Sequence, residues 1–497
     1  LEALARRDPA AAERLLVELA PLGLDAGQQA RVRYQAALWS AASYLPNAAQ
    51  RLAAVPKDAY DARLHEWRVR EALARGDWAA ALSAITAMPA EQRAEPRWRY
   101  LDARMRDLGG DAATAATRWR DLAREPNYHG FLAADRLGLP YALCPAPTPD
   151  DAAQAAVAGD PQLVRAVWLN AMGRRSWAEQ EWRGLATRLD ADARRAAVAV
   201  AVGARWHDRA VFGMQGADDQ TYYALRFPLA QRATLRREAR RHRLDDAWVA
   251  ALIRAESAWQ PAARSSADAR GLMQLLPGTG AATAKKHGLP WTGVRTLHDP
   301  RANIALGTAH LASELSRHGG QPYLATAAYN AGPAPVGRWL AQRAALDVDL
   351  WVETIPYRET REYVARIMAF AVIYDWRLHG AALPVSERMR GRHDAARRPL
   401  PRPDHEYRAM SQPRIVILGG TGFVGRHLVA ALAREGYAVS VLSRNAQVHP
   451  ALNVLPGVSV ESAAVFDRAV LAERLRGAVA AINLVGILNE RGSDGSG

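Results

Sequence analysis

Apolar side chains recur at the three- and four-residue spacing of amphipathic helices along the first 380 residues. Up to about residue 215, alanine, leucine, arginine and glutamate dominate, and the pattern predicts helices throughout. A second helical stretch runs from about residue 231 to 380 and is interrupted by loops rich in glycine and proline. From Arg414 the pattern changes to short apolar runs, the first at 415–418, that alternate with helical segments. This alternation is typical of a parallel α/β sheet.

The first helical stretch contains a weak repeat. Turns at Gly76-Asp77 and Gly110-Asp111 are 34 residues apart, and a similar turn lies at 175–177, near two further periods. A period of this length is typical of helix-pair solenoids, in which neighbouring pairs cover each other's apolar faces. We therefore predict an α-superhelical solenoid over residues 1–215. Eight tryptophans in it are interpreted as packing between helices, with sugar stacking as the alternative for some: Trp39, Trp67, Trp78, Trp98, Trp119, Trp168, Trp177 and Trp182.

Two stretches without helical periodicity separate the predicted domains. Residues 216–238 contain glycine and proline and are interpreted as a linking region. Residues 381–411 carry seven arginines and four prolines without an apolar period, which predicts a disordered basic linker. An anchor to an anionic surface is the alternative for this second stretch. The remaining predicted domains are 239–380 and 412–497.

The formal charge of +14 does not by itself identify a partner. Only three of the 65 basic residues are lysines, and the arginines are spread along the chain. Arginine-rich codon usage and attraction to an anionic polymer or surface therefore both remain open. A nucleic-acid partner is not expected, because no nucleic-acid motif is present. The single cysteine, Cys144, excludes an internal disulfide and a cysteine-based metal site, and the apolar stretches are too short to span a membrane.

Glu256 is the candidate for chemistry in the second helical stretch. It ends the apolar run 249–253 and is followed by the apolar Trp259. A carboxyl among apolar neighbours has a raised pKa, because its charged form is disfavoured. Such a group can act as a general acid on a glycosidic oxygen near neutral pH. Taken alone, this fragment favours an ordinary glutamate at a helix end over a catalytic one.

Four sequence blocks in order alter that interpretation. They are Glu256-Ser257, Gly271-Leu272-Met273-Gln274, Ala328-Tyr329-Asn330-Ala331-Gly332 and the run at 353–361, which reads ETIPYRETR. This set resembles the soluble lytic murein transglycosylases, and Tyr222–Leu229 resembles the linking domain of that family. The resemblance implies a goose-type lysozyme-like catalytic domain preceded by a superhelical domain. The predicted fold is therefore mainly α, with a solenoid, a lysozyme-like domain and a partial Rossmann α/β segment.

The family's site residues can be placed on matching positions of this chain. Glu256 corresponds to the single acid/base, and Glu353 to a second carboxylate near the cleft. Four further positions correspond to the lining of the sugar cleft: Ser265, Gln274, Tyr329 and Asn330. Hydroxyls and side-chain amides suit the N-acetyl groups of a glycan, which offer an amide donor and acceptor. Gly271 is expected to let the backbone approach the ligand. We expect Glu359 and Arg361 to form a local ion pair outside the site.

The resemblance implies a lyase that cleaves the MurNAc–GlcNAc β-1,4 bond of peptidoglycan and leaves 1,6-anhydro-MurNAc ends. It also implies peptidoglycan strands as partner, a periplasmic location with the signal peptide outside the given residues, at most peripheral membrane contact, and no metal or cofactor. The oligomeric state stays open. The alternatives are a hydrolytic muramidase, a non-catalytic peptidoglycan-binding scaffold, and an NADP-binding protein with an inactive helical appendage.

A glycine motif opens the α/β segment. Gly419, Gly422 and Gly425 follow a strand and precede a helix, which resembles the dinucleotide-binding turn of atypical short-chain dehydrogenases and epimerases. Arg444 stands where a contact to the 2′-phosphate of NADP would lie. The alternative is a turn kept for packing alone. Because the sheet stops after about 85 residues without a Tyr-x-x-x-Lys pair, we predict a vestigial site, no oxidoreductase activity, and two neighbouring reading frames joined into one chain.

Overall fold

The structure is a computed structural model that describes residues 1–343, 346–400, 414–434, 437–443, 452, 458–463, 467–476 and 478–485. The chain divides into two compact units. The first comprises residues 1–146 and 238–402, and the second comprises residues 147–237 and 403–497. The predicted fold class, mainly helical with a small parallel sheet near the C-terminus, is confirmed.

Ten helices begin the first unit. They are α1 Glu2–Ala5, α2 Pro9–Glu18, α3 Ala26–Ala42, α4 Ala48–Ala53, α5 Ala62–Arg75, α6 Trp78–Thr86, α7 Ala90–Arg93, α8 Pro96–Leu108, α9 Ala112–Leu122 and α10 Tyr128–Leu137. The repeat seen in the sequence corresponds to helix-pair turns. Gly76 and Gly110 adopt positive φ angles of 73° and 91°, and the aspartate after each caps the next helix through its carboxylate. Trp67, Trp98 and Trp119 are buried between these helices, as predicted.

The rest of the first unit is the segment that carries the candidate site. Its helices are α18 Asp246–Ser257, α19 Pro277–His287, α20 Pro300–Arg317, α21 Pro322–Ala331, α22 Pro333–Gln342, α23 Val348–Glu353 and α24 Arg358–His379. Helix α18 is apolar on nearly every side and packs against α24, which has a mostly apolar surface as well. An all-round apolar helix belongs in the centre of a domain. The two helices thus form the rigid centre on which the site is built.

The interpretation of 381–411 as a disordered linker is wrong for residues 381–400. This stretch forms β1 Ala381–Ala382, α25 Val385–Met389 and β2 Arg398–Pro399, and β1 pairs with β2 in antiparallel fashion. Arg388 is 0% exposed and lies 2.9 Å from Asp245 and 2.6 Å from Asp375. Arg388 and Arg397 are therefore partners of the buried carboxylate of Asp375, which a composition-based interpretation cannot detect. The remainder of the predicted linker lies outside the described residues.

The second unit contains a group of helices and a sheet. The helices are α11 Asp151–Ala158, α12 Pro161–Ala171, α13 Arg175–Ala186, α14 Ala191–Gly203, α15 Asp208–Phe212, α16 Tyr223–Arg226 and α17 Arg232–Arg241, the last of which extends past the boundary between the units. Trp182 is buried among them, whereas Trp168 and Trp177 are 64% and 59% exposed. The packing interpretation is wrong for these two tryptophans, because they lie on the outer faces of α12 and α13.

The sheet is parallel and has the strand order β5-β4-β3-β6. Its elements are β3 Arg414–Leu418, α26 Phe423–Arg434, β4 Ala438–Ser443, β5 Val458–Ser462, α27 Arg468–Leu475 and β6 Ala480–Asn483. The first strand lies in the middle and the next two follow on one side, which is the order of half a doubly wound sheet. Within the described ranges, no helix is both long and apolar enough to cross a bilayer.

Candidate active site

Glu256 lies in the last turn of α18. Asp245 begins this helix by accepting hydrogen bonds from the backbone N–H groups of Ala247 and Trp248. After Ser257 the chain turns sharply, since Ala258 adopts a left-handed φ of 50°. A non-glycine residue in this region carries strain that the surrounding structure must hold. The buried helix and the strained turn together fix where the Glu256 carboxyl points.

The Glu256 carboxyl is partly buried and has one hydroxyl partner. The phenol of Tyr363, on α24, donates a hydrogen bond to Glu256 Oε1. Burial raises the pKa of Glu256 from 4.5 to about 7, and the charge of Glu359 acts in the same direction, while the bond from Tyr363 opposes them. The apolar neighbours of Glu256 in the sequence predicted this raised pKa. No sequence pattern indicated Tyr363, which stands two residues beyond the last motif and becomes a neighbour of Glu256 only through the packing of α18 on α24.

A short loop, residues 270–275, lies against the end of α18. Ser257 donates from its hydroxyl to the carbonyl of Leu272 at 2.8 Å. The fully buried Asn303 accepts from the backbone N–H of Met273 at 2.7 Å and donates to the carbonyls of Arg270 and Leu297. Asn303 therefore holds this loop by two bonds and ties it to Leu297 by a third. No pattern in the sequence marked it, because a single buried asparagine has no periodic signature.

Gly271 is required by this loop for a different reason than expected. Its φ is 78°, and a Cβ atom at this position would lie 2.0 Å from the carbonyl oxygen of Leu297 and 2.3 Å from Asn303 Nδ2. The sequence argument attributed the glycine to close approach of a ligand. The structure instead places the chain's own backbone and Asn303 against it.

Two of the predicted cleft residues lie around this loop. Tyr329, on α21, donates from its hydroxyl to the carbonyl of Met273 at 2.8 Å, and the charge of Glu256 contributes to raising the pKa of its phenol. Gln274 donates its side-chain amide to the carbonyls of Ala263 and Gly271. These contacts make both side chains supports of the loop, and they bring Tyr329 within electrostatic range of Glu256.

The other two predicted cleft residues have different surroundings. Asn330 accepts a hydrogen bond of 2.6 Å from the hydroxyl of Thr360 on α24, which leaves its amide N–H groups as donors. Ser265 is exposed, and its hydroxyl accepts from the backbone N–H of Ala269 at 3.0 Å within an outer loop. Asp268, in the same loop, is paired with two arginines and does not form a second carboxylate beside Glu256.

Glu353 is not a cleft-facing carboxylate, and this prediction is corrected. It is 2% exposed, and its carboxylate lies 3.0 Å from Arg97 on α8 and 3.0 Å from His129 on α10. The nearby Arg97 cation lowers the pKa of Glu353 despite its burial. Its partners come from more than 220 residues earlier in the chain, so the motif that contains Glu353 gave no sign of them. Glu353 joins the predicted solenoid to the catalytic segment.

Arg361 is likewise placed differently from the expectation. It is buried and donates to the carbonyl of Ile355 at 2.6 Å, and this contact replaces the predicted pairing with Glu359. Glu359 is exposed, and its charge raises the pKa of Glu256.

The glycine motif of the second unit forms the turn between β3 and α26. Gly419 has a φ of 77°, and a Cβ on Gly425 would lie 2.4 Å from the carbonyl oxygen of Gly419. The close packing of strand and helix accounts for both glycines without a ligand, although the same turn is the one that a dinucleotide pyrophosphate uses. Arg444 lies outside the described residues. Within the described part of the chain, no three His, Cys, Asp or Glu side chains converge as a metal site would require.

Family models match four parts of the chain. Residues 234–352 match the transglycosylase SLT domain, and residues 354–382 match the soluble lytic transglycosylase helical domain. Residues 156–218 match the soluble lytic murein transglycosylase L domain, a stretch that the sequence argument had placed within the solenoid. Residues 411–495 match the NmrA-like family. Over part of that segment, the chain is 36% identical to the isoflavone reductase homolog IRL of Zea mays, across 16% of this chain and 28% of the relative.

Curated relatives and solved structures agree with these matches. The chain is 32% identical to the soluble lytic murein transglycosylase of Salmonella typhimurium, across 63% of this chain and 48% of the relative. It therefore spans about half the length of the curated relatives it matches. An inactive variant of the lytic transglycosylase Slt from Pseudomonas aeruginosa superposes with a TM-score of 0.69 at 34% identity, across 77% of this chain and 63% of that one.

A bulgecin A complex of the 70-kDa soluble lytic transglycosylase gives a TM-score of 0.71 at 28% identity, across 76% of this chain and 62% of that one. The resemblance to the soluble lytic murein transglycosylases that the sequence predicted is therefore confirmed for the helical part of the chain, and the α/β segment is similar to NmrA-like proteins.

Proposed function

We propose that this chain is a peptidoglycan lytic transglycosylase that cleaves the MurNAc–GlcNAc β-1,4 bond and forms 1,6-anhydro-MurNAc ends. The observation that carries the proposal is the Glu256 carboxyl. It is partly buried, its pKa is raised to about 7 by that burial, and it lies in the part of the chain that matches the SLT domain. The similar 70-kDa soluble lytic transglycosylase, which binds bulgecin A in its solved complex, supports the same assignment.

Glu256 acts first as an acid and then as a base. A pKa of about 7 leaves a large fraction of the carboxyl protonated at neutral pH, so it can donate a proton to the glycosidic oxygen as the bond breaks. The carboxylate that results can accept the proton of the incoming nucleophile. Tyr363 holds one carboxyl oxygen through both steps. The same hydrogen bond favours the charged form, so it limits how far burial raises the pKa.

Among the described residues, the one carboxylate that acts on the pKa of Glu256 is the exposed Glu359, one helical turn from Tyr363 on α24, and this arrangement supports a mechanism with a single acid/base. Retaining and inverting glycosidases generally use two carboxylates on opposite sides of the bond. Here Asp268 is paired with arginines in an outer loop, and Glu353 is paired with Arg97. The N-acetyl oxygen of muramic acid then takes the stabilising role, and its 6-hydroxyl attacks the anomeric carbon in place of water.

The loop 270–275 and its supports form the proposed sugar-binding wall. The oxygen of the Gln274 amide can accept from an N-acetyl N–H, since its NH₂ group is already engaged with the loop. The amide N–H groups of Asn330 can donate to a sugar or acetyl oxygen. The ring of Tyr329 offers an apolar face while its hydroxyl anchors Met273.

Hydrolysis on the same fold is the alternative that shares Glu256, and a non-catalytic scaffold is disfavoured because the acid and its supports are all in place. The proposed partners are peptidoglycan glycan strands, and the proposed location is the periplasm. The transglycosylase reaction needs no cofactor. We propose that the NmrA-like segment takes no part in glycan cleavage, since the catalytic carboxyl and its supports all lie before residue 401, whereas the NmrA-like match begins at residue 411.

The test of this function is clearance of purified sacculi by the full chain. Glu256→Gln keeps the shape of the side chain and removes the transferable proton, so cleavage should fall by at least about 10²-fold, the usual general-acid contribution. Asp268→Asn, in the exposed outer loop, is the matched carboxyl-to-amide control and should keep near-wild-type activity. Near-wild-type cleavage by a folded Glu256→Gln variant would remove Glu256 from the catalytic role.

A further inference from the structure

The start of α24 carries two contacts to the proposed cleft. Thr360 donates from its hydroxyl to Asn330 at 2.6 Å. Three residues later, Tyr363 donates to the carboxyl of Glu256. Residues three apart lie on nearly the same face of a helix. The position of this first turn therefore decides whether the Tyr363 hydroxyl reaches Glu256.

The two residues between them are held from other directions. Arg361 donates to the carbonyl of Ile355, in the loop just before α24. Glu362 accepts from Arg97 Nη2 at 2.7 Å, and Arg97 belongs to α8 of the predicted solenoid. Successive helical side chains point about 100° apart, so four consecutive contacts hold the helix from several sides. The contact of Glu362 with Arg97 is the one among the four that comes from the solenoid.

Arg97 also holds the element that precedes α24. Its Nε lies 3.0 Å from the buried carboxylate of Glu353, at the end of α23. From the neighbouring solenoid helices, His129 contacts the same carboxylate, and Arg70 donates to the Glu353 backbone carbonyl at 3.0 Å. The planar guanidinium of an arginine can bridge two carboxylates, which the single ammonium of a lysine does less well. Arg97 thus ties α23 and α24 to one point on α8.

We propose that Arg97 is a positioning residue of the active site, because it fixes the start of α24 and thereby the contact between Tyr363 and Glu256. Arg97 itself does not reach the catalytic carboxyl. The inference rests on the proposed function, and it makes the predicted solenoid a part of the catalytic apparatus in addition to any role as a scaffold.

Substitutions at Arg97 and Glu362 test the proposal with opposite changes of charge. Arg97→Gln removes a cation, whereas Glu362→Ala removes an anion from the partly exposed end of the same pair. If both loosen the start of α24, both should lower kcat by about tenfold with KM within about twofold, because small displacements of catalytic groups are costly. Both should also move the alkaline limb of the pH–rate profile upwards. The reason is that a weakened bond from Tyr363 removes an interaction that lowers the pKa of Glu256.

Long-range charge effects give a different result. Through charge alone, loss of the Arg97 cation would raise the pKa of Glu256, and loss of the Glu362 anion would lower it. The groups that face Glu256 directly are Tyr363 and Glu359 from α24 and Tyr329 from α21. Shifts of opposite sign in the two variants would therefore overturn the positioning role.

Two further variants and a second readout complete the experiment. Arg99→Gln, on the same helix but paired with Glu125, removes an equal charge and should leave kcat and the pH profile unchanged. Arg97→Lys should recover part of the lost kcat. Infrared titration of the Glu256 carboxyl, taken as the difference from Glu256→Gln, measures the pKa without turnover and so remains valid if the wild-type chain cleaves no peptidoglycan. Unchanged kcat and unchanged carboxyl titration in Arg97→Gln, or an activity loss that only follows its unfolded fraction, would overturn the proposal.

Discussion

Arg388 lies outside the predicted catalytic domain, but its removal should destabilise the catalytic part of the chain. Its guanidinium contacts Asp245 at 2.9 Å and Asp375 at 2.6 Å, and all three side chains are buried. Asp245 caps the helix that carries Glu256, and Asp375 lies in the helix that carries Tyr363. The Arg388 cation lowers the pKa of Asp245 against the effect of burial. Arg388 thus joins the two helices of the site from behind.

The magnitude follows from the burial of these charges. Breaking a buried ion pair by removing one partner typically costs about 3–5 kcal/mol, because the remaining charge stays buried without compensation. At about 2–4 °C per kcal/mol for domains of 150–250 residues, the melting temperature should fall by roughly 10 °C in this larger unit. In Arg388→Met, Asp375 keeps its second partner Arg397 at 2.6 Å, so the loss of stability should lie near the lower limit of this range. A truncation that also removes Arg397 should cause a loss near the upper limit.

The assay compares two truncated chains and one substitution by thermal melting followed by circular dichroism. Residues 1–400 should melt near the full chain, and sacculus clearance should be retained. Residues 1–385 should melt roughly 10 °C lower, with Arg388→Met in the full chain also lowered. If residues 1–385 melt within about 2 °C of residues 1–400, the buried ion network does not support the site, and the composition-based view of this stretch as a dispensable linker is restored.

Three further outcomes follow from the geometry. Burial raises the pKa of Glu256 from 4.5 to about 7, so ionisation of this carboxyl destabilises the fold as the pH rises through that window. In denaturant titrations, Glu256→Gln should therefore be about 1–3 kcal/mol more stable than wild type at pH ~8 and equal to it below pH ~4. Equal stability of the two proteins at both pH values would contradict the burial argument. Tyr363→Phe removes the bond that lowers this pKa, so the alkaline limb of the pH–rate profile should move upwards, and an unchanged limb would show that the phenol is not a partner in solution. Gly271→Ala places a Cβ 2.0 Å from the Leu297 carbonyl at a positive φ, so it should cost at least about 2 kcal/mol of unfolding free energy, and a neutral result would mean that the loop is not held as described.

The chemistry-bearing part of the site could be predicted because its signals are local. Glu256, the 271–274 loop and the 328–332 segment are contiguous motifs, and the structure brings them together through one helix, one loop and the end of another helix. Tyr363 and Asn303 could not be found this way. Each acts through a single contact across the fold, and an isolated tyrosine or asparagine in a helical pattern has no distinguishing period.

The errors at Glu353 and at residues 381–400 share one physical origin, which is the pairing of charges between distant parts of the chain. Glu353 was expected at the cleft, but its partners Arg97 and His129 come from the first third of the chain. Residues 381–400 were expected to be disordered because of their arginines, but an arginine can be buried when it pairs with a buried carboxylate such as that of Asp375. Charged residues are rarely fully buried unless paired, so composition alone favours the surface. The turn glycines at 76 and 110 were predictable, since their positive φ depends only on local geometry.

Mass spectrometry of the fragments released from purified peptidoglycan is the most direct test of the central claim. A transglycosylase with Glu256 as its single acid/base forms 1,6-anhydro ends without consuming water, whereas a hydrolase adds one water to each cleaved bond. The full chain should release anhydro-muropeptides, and the Glu256→Gln variant should release none. Fragments that carry one added water, with no anhydro form, would contradict this claim.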